Sequence, residues 1–188
     1  LVAKVAQGHA GLAGGHKTPV MRMAAFMTQV DEEKPFIRRL HHEVRGMFEA
    51  LAPHMSFPMS FVFSNLGLFS GLLVKMIPKL NAAAGEMLGT GCTFKKVSTD
   101  EDGSCRAEAF LRCINDEDFA KDLDALRKMA EGYGVEMTVP DEDNEYYKPS
   151  SLDSAGYKYV RQIAQRVFDY AAVAPFILPA GTDARRFV

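Results

Sequence analysis

At 188 residues the chain is long enough for one domain, or one and a part. A hydrophobic share of 47% permits a sizeable core, and a net charge of −2 without any long basic run argues against a nucleic-acid partner. No segment reaches the ~20 apolar residues of a bilayer span, so no membrane partner is expected, and three cysteines without Cys-x-x-Cys spacing fit a reduced, cytoplasmic setting.

In chain order, Leu1 to Gln7 alternates weakly and predicts a short strand. Gly8 to Lys17 is rich in Gly and Ala and reads as a loop carrying His9 and His16. Thr18-Pro19 signals a helix start, with Thr as N-cap and Pro at the first helical position. Val20, Met23, Ala24 and Met27 then share one apolar face. After a charged break at Asp31 to Lys34, a second helix is predicted from about Pro35 to Leu51, with Ile37, Leu40, Val44, Met47, Phe48 and Leu51 on one stripe. Phe57 to Ile77 is apolar nearly throughout. Pro58, Gly67, Gly71 and Pro78 punctuate it, which predicts short helical pieces, buried or at an interface. Ala82, Ala83 and Ala84 favour one more short helix between Lys79 and Leu88.

Cys92 to Ser98 predicts a strand, Thr99 to Gly103 a turn, and Cys105 to Ile114 the second arm of a hairpin. Alternation puts Cys105, Ala107, Ala109, Leu111 and Cys113 on one face, and Arg106, Glu108, Phe110 and Arg112 on the other. Asn115 or Asp116 is expected to cap a helix reaching Tyr133, with Phe119, Leu123, Leu126 and Met129 or Ala130 on its buried side. Gly134 follows as a helix-ending glycine, and Val135 to Val139 predicts a last strand. With a helical insertion at about 34–88 set aside, the order is β-α-β-β-α-β, the ferredoxin-like split unit, α+β in class. Pro140 to Pro149 is acidic and turn-rich and reads as a linker. A helix over Ser151 to Asp169, with Val160, Ile163, Ala164, Val167 and Phe168 inward, then leads to a strand at Val173 to Leu178. These last elements read as part of a different domain, which sets the expected division at 1–140 and 141–188.

Residues able to carry chemistry are few. His9, His16, His41, His42 and His54 lack His-Glu-x-x-His spacing and read as surface or half-buried side chains, so no metal site is expected within the chain. No nucleophile motif surrounds Cys92, Cys105 or Cys113. Gly8, Gly11, Gly14 and Gly15 could cradle an anion before a helix, but they lack both the P-loop Lys-Ser/Thr and a dinucleotide fingerprint, and a plain loop is the simpler reading. Met21, Met23, Met27, Met55, Met59 and Met76 read as core filling, with a partner-binding groove as the sharper alternative. Arg112, on the strand face opposite the small apolar row, could hold a carboxylate bidentately or simply face solvent. Near the end, the apolar run Val173 to Leu178 stops at Pro179, and a small-residue turn presents Thr182, Asp183 and Arg185 together. A site-like motif so close to Val188, and a first residue that is not Met, lead to the expectation of a fragment.

Taken together these pieces resemble the lid, or dimerisation, domain of dinuclear zinc metallopeptidases: the aminoacylase, carnosinase, carboxypeptidase-S and succinyl-diaminopimelate desuccinylase group. Gly8-His9-Ala10-Gly11 before the Thr18-Pro19 helix matches the opening of that lid. The Ser56 to Asn65 segment followed by Leu68-Phe69 is similar to the insertion of the carboxypeptidase-S-like members. The Ala107 to Ile114 strand places the family's lid arginine on Arg112, and Gly181-Thr182-Asp183-Ala184-Arg185 resembles the turn that returns to the catalytic domain. Three positions depart from the pattern: Ala13 where Pro is usual, Asp102 to Cys105 where Asn-x-x-Pro enters the arginine strand, and Phe110 where Asn is common.

The resemblance implies a hydrolase that cleaves peptides or N-acyl amino acids, with 1–140 as lid and 141–188 as the start of an incomplete α/β catalytic domain. It implies a homodimer formed through the lid and two zinc ions whose ligands lie outside this chain. His9 would stabilise the oxyanion, reaching into the partner's site, Arg112 would hold the substrate carboxylate, and Gly181 and Thr182 would line the pocket. Water is a poor nucleophile at neutral pH until a metal lowers its pKa toward ~7, so the chain alone is expected to be inactive. A free-standing ferredoxin-like interaction module without an enzymatic parent is the alternative.

Overall fold

The computed structural model describes residues 1–4, 18–114, 116–140, 150–169 and 171–178. Two compact units emerge, Leu1–Ile37 with Thr90–Tyr146 and Arg38–Gly89 with Tyr147–Val188. The first is α+β. Its elements are β1 (Val2–Ala3), α1 (Pro19–Glu33), β2 (Gly91–Thr99), β3 (Cys105–Arg112) and α6 (Asp116–Gly132). The second holds α2 (His42–Leu51), a 3-10 turn (Ala52–His54), α3 (Met59–Ser64), α4 (Leu66–Leu80), α5 (Ala82–Gly85) and α7 (Ala155–Val167).

The sheet of the first unit is antiparallel in the order β1-β3-β2. Beyond β1, Val2 and Glu136 exchange backbone hydrogen bonds of 2.8 Å each way, an antiparallel bridge on the free side of β1. The strand expected at Val135 to Val139 is reduced to that bridge. β1 itself has only Val2 and Ala3, which leaves a short edge to pair with.

The hairpin of β2 and β3 forms because the turn residues supply what the backbone requires. Gly103 takes a positive φ of 82°. Asp102 accepts from the Ser104 N–H at 2.8 Å and from its hydroxyl at 3.0 Å. These bonds, the backbone one foremost, hold the exposed Asp102 carboxyl below the usual carboxylate range. The register shifts between Phe94 and Lys96, so Lys95 bulges and its ammonium lies 4.2 Å from the centre of the Phe110 ring.

Thr18 caps α1 as expected, its hydroxyl accepting from the Met21 N–H at 3.3 Å. The buried stripe, however, is Met23, Phe26 and Val30, while Val20 and Ala24 are exposed. Phe26 decides this rotation. It is fully buried, meets the Phe94 ring edge-on at 6.0 Å, and carries more apolar area than either alternative. Beneath α6 the same core takes Leu126 and Ala130, together with Ala3, Cys105 and Ala107 from the sheet. Gly134 ends α6 with φ +62°, where a Cβ would stand 2.5 Å from an Arg22 nitrogen.

In the second unit the sequence expectation of a helix from Pro35 fails: α2 starts at His42. Residues before it are extended because their backbone is used elsewhere. Arg38 bridges Gly89, and the Arg39 N–H donates to the Leu88 carbonyl at 2.9 Å. α4 runs unbroken through Gly67 and Gly71 and takes Pro78 into its last turn. α5 can follow closely because Gly85 has no side chain, since a Cβ there would lie 2.8 Å from Pro78 Cα.

Two further expectations are corrected in this unit. α7, capped by Ser154, buries none of its residues, and Val160, Ile163, Val167 and Phe168 are exposed rather than inward. Residues 171–178 form no strand. Both outcomes share a cause: the described residues of this unit contain no sheet to cover or to join. Ile177 instead packs against the small cluster of Val44, Met87 and Leu88.

A buried polar contact lies where the chain leaves and re-enters the sheet unit. Asp122 of α6, only 1% exposed, accepts from the Ile37 N–H at 2.8 Å and from the Thr90 hydroxyl at 2.5 Å. Asp122→Ala leaves both donors buried without a partner and is expected to cost roughly 3 kcal/mol in urea unfolding. Asp122→Asn keeps an oxygen for Ile37 and should lose less than half of that. Equal losses in the two variants would mean that the carboxyl group, not hydrogen-bond satisfaction, matters.

Candidate substrate-binding site

Arg112 is the sequence-derived site residue that the described structure contains. It is the last residue of β3, half-buried, and its Cα partner across the sheet is Gly91. The strand was expected to run on to Ile114. It stops at Arg112, opposite Gly91, where its partner strand begins, and the preceding residue, Thr90, donates its hydroxyl to Asp122. The arginine therefore sits at the open end of the hairpin, not mid-strand. It has interactions of its own there and is not an idle cation.

Around that end the polar groups come from α6 and the hairpin base. Asp118 and Asp122 are one helical turn apart and both are buried, at 5% and 1% exposure. Sequence reasoning missed them, taking Phe119 and Leu123 as the buried positions. The signal was available: Asp118, Asp122, Leu126 and Ala130 recur every four residues along one face. An aspartate in a first helical turn is usually explained by the helix dipole, which is why the pattern is easily overlooked. An arginine at a strand end can hold a carboxylate by a two-pronged ionic hydrogen bond, whereas the Asp122 carboxyl is committed to Ile37 and Thr90.

His9, Gly181 and Thr182 lie outside the described residues, as do His16, Asp183 and Arg185. Lys4 is the last described residue before His9. The Lys4 carbonyl accepts from Arg22, whose other terminal nitrogen donates to Gly134 O at 3.0 Å. Arg22 thus ties the end of β1 to the end of α6.

Among the other histidines, His41 precedes α2 and is buried, while His42 and His54 are exposed. Among the described residues no group of three or more His, Cys, Asp or Glu is placed to hold a metal ion. A separate cleft of about 360 Å³ in the second unit is lined by Glu49, His54, Arg161, Gln165 and Phe168 among others. Its cations and anions are mixed, so no single ligand charge is favoured.

No family model, curated protein or solved structure matches the chain.

All three cysteines are thiols. Burial pushes Cys92, next to Gly91, from its ordinary 9.0 up to about 11. Cys105 is raised too, by burial first and then by the charge of Asp100. The folded thiols therefore hold their protons more tightly than the unfolded chain does. Their contribution to stability is complete below pH 9.0 and, for Cys92, is lost as pH rises from there toward about 11. The melting temperature of Cys92→Ala should accordingly fall less between about pH 8 and about pH 10, one unit either side of the thiol's ordinary value of 9.0, than that of the wild type. Parallel curves for the two proteins would show that Cys92 ionises freely.

Proposed function

We propose that the chain is the lid and dimerisation portion of a zinc-dependent metallopeptidase or amidohydrolase that cleaves peptides or N-acyl amino acids. The observation that carries this reading is the antiparallel order Glu136, β1, β3, β2, with α1 and α6 in the connections and packed on each other's side of one core. A β-α-β-β-α-β split unit has that order, and its fourth strand would begin at the Glu136 bridge. The helical segment between Arg38 and Gly89 leaves from and returns to adjacent points, as an insertion into such a lid would.

In this reading Arg112 holds the substrate carboxylate with a two-pronged ionic hydrogen bond. His9 donates an N–H to the oxygen that becomes negative during amide cleavage, working across a homodimer formed by lid helix and edge strand. Gly181 and Thr182 line the pocket. In this reading the zinc ligands belong to other parts of the parent enzyme, which works in the cytoplasm, and the chain by itself does not hydrolyse substrate.

The test is kinetic and uses the complete enzyme with dipeptides, acyl amino acids and their amidated counterparts. Arg112→Ala should raise KM for substrates with a free carboxylate by on the order of tenfold or more, and leave amidated ones nearly unchanged. An equal effect on both would remove Arg112 from carboxylate recognition. His9→Ala should lower kcat about a hundredfold, as loss of an oxyanion donor does, and an unchanged kcat would sink its role. A complete protein inactive on the whole panel, with zinc bound, would overturn the assignment itself.

A further inference from the structure

The surface of α3 and α4 has a feature that the hydrolase reading does not use. Leu68, Leu72, Met76 and Leu80 recur every fourth residue along α4, and all are exposed, Leu68 at 78% and Leu80 at 76%. Phe57, exposed at 79%, and Phe61 have their ring centres 6.4 Å apart, and Phe61 meets Phe69 of α4 at 5.8 Å. Folding does not require this face. The other side of α4 is held to the protein through Leu66 and Leu73, which join Ala52 and Phe63 in a separate cluster. α4 is thus fixed along one side and bare along the other, over a length of roughly 22 Å.

Charge decides what would cover it. Between Glu49 and Glu86 the sequence contains no Asp or Glu, although the whole chain has 24. The charged residues of α4 are Lys75 and Lys79, exposed and one turn apart in the row beside the leucines. A second copy of the same face would bring lysines against lysines with no carboxylate to pair them, a like-charge cost. An anionic surface meets the lysines without that cost, and an apolar one meets the leucines and phenylalanines. A bilayer with acidic headgroups offers both, and lysine stems let the ammonium groups reach the phosphates while the apolar row enters the acyl boundary.

We propose that the α3–α4 face lies flat on an anionic phospholipid bilayer, with Phe57, Phe61, Leu68 and Leu72 inserted and Lys75 and Lys79 at the phosphates. This departs from the expectation of no membrane partner, which weighed only spanning segments. No helix among the described residues is long and apolar enough to cross a membrane, and lying on one does not need such a helix. The proposal is independent of the hydrolase reading.

Co-sedimentation of the purified chain with phosphatidylcholine vesicles, with and without phosphatidylglycerol, tests it. The chain should sediment with the phosphatidylglycerol vesicles and release with salt. The double variant Lys75→Ala/Lys79→Ala should bind roughly thirtyfold more weakly, since each lysine near an anionic surface contributes about a fivefold factor. Leu68→Ser/Leu72→Ser should abolish binding while keeping the wild-type circular dichroism, both sites being exposed. Failure to bind either vesicle, or equal binding to both, overturns the proposal. So does a lipid-free mass by light scattering that halves on Leu68→Ser/Leu72→Ser, which would assign the face to a second copy. Capture by polyglutamate without capture by vesicles would assign it to an acidic protein instead.

Discussion

The fold depends on one buried carboxyl group. Asp122 binds the residue before the chain leaves the sheet unit, Ile37, and the residue at which it returns, Thr90. A carboxyl group has two oxygens and each is committed to one of these crossing points. Thr90 immediately precedes Gly91, the first residue of β2, and Arg112 at the end of β3 pairs with Gly91. The hydroxyl bond to Asp122 thus anchors the chain one residue before the strand pair that carries the candidate arginine. On the other side of the crossing, Arg39 donates to Leu88 and the two chain segments run as an antiparallel pair. A long insertion closed at its base in this way adds little loop entropy, because closure cost grows only slowly with length.

Arg22 provides a second tie of the same logic. Its guanidinium donates to Lys4 O and to Gly134 O, so the end of the short β1 and the end of α6 are set by one side chain. A two-residue strand has few ladder bonds to hold it. The Val2–Glu136 pair and the Lys4–Glu136 ion pair at 2.7 Å add to them, although an exposed ion pair contributes little by itself. Lys4, next after β1, is thus fixed by an arginine, not by strand length.

Local signals in the sequence suffice where local physics decides. The Thr18-Pro19 start, the Gly103 turn and the Gly134 stop each rest on backbone preferences that act within four residues. Signals failed where a distant partner decides. Pro35 looks like a helix start, yet Ile37 and Arg39 give their N–H groups to Asp122 and Leu88. The α1 stripe is rotated because Phe26 finds Phe94 on the sheet. The α6 stripe begins with Asp118 and Asp122, and a period-counting argument that accepts only apolar residues cannot see a polar start to a buried face. The apolar run at Val173 to Leu178 has strand composition, but a strand needs an edge, and the described residues of its unit supply none. Of the site, only Arg112 could be followed into the structure, and its strand was legible while its place at the strand's end was not.

Composition separates the two units in a way that bears on their work. The sheet unit encloses one core around Phe26 and surrounds it with exposed ion pairs such as Lys128–Asp124 and Lys96–Glu108. The helical unit has two small clusters and leaves long apolar side chains outside on α4 and on α7. Exposed apolar surface of that extent invites aggregation and is ordinarily removed unless something covers it. Core formation does not demand it here, because the inward residues Leu66 and Leu73 are distinct from the outward Leu68 and Leu72. Serine at the outward positions would leave the clusters intact. The absence of acidic residues from Ala50 to Gly85 is likewise no requirement of helix formation, since glutamate is a good helix former and abounds elsewhere in the chain. Two independent features, apolar exposure and one-sided charge, therefore coincide on the same helices without serving the fold, which locates their cause in what those helices meet.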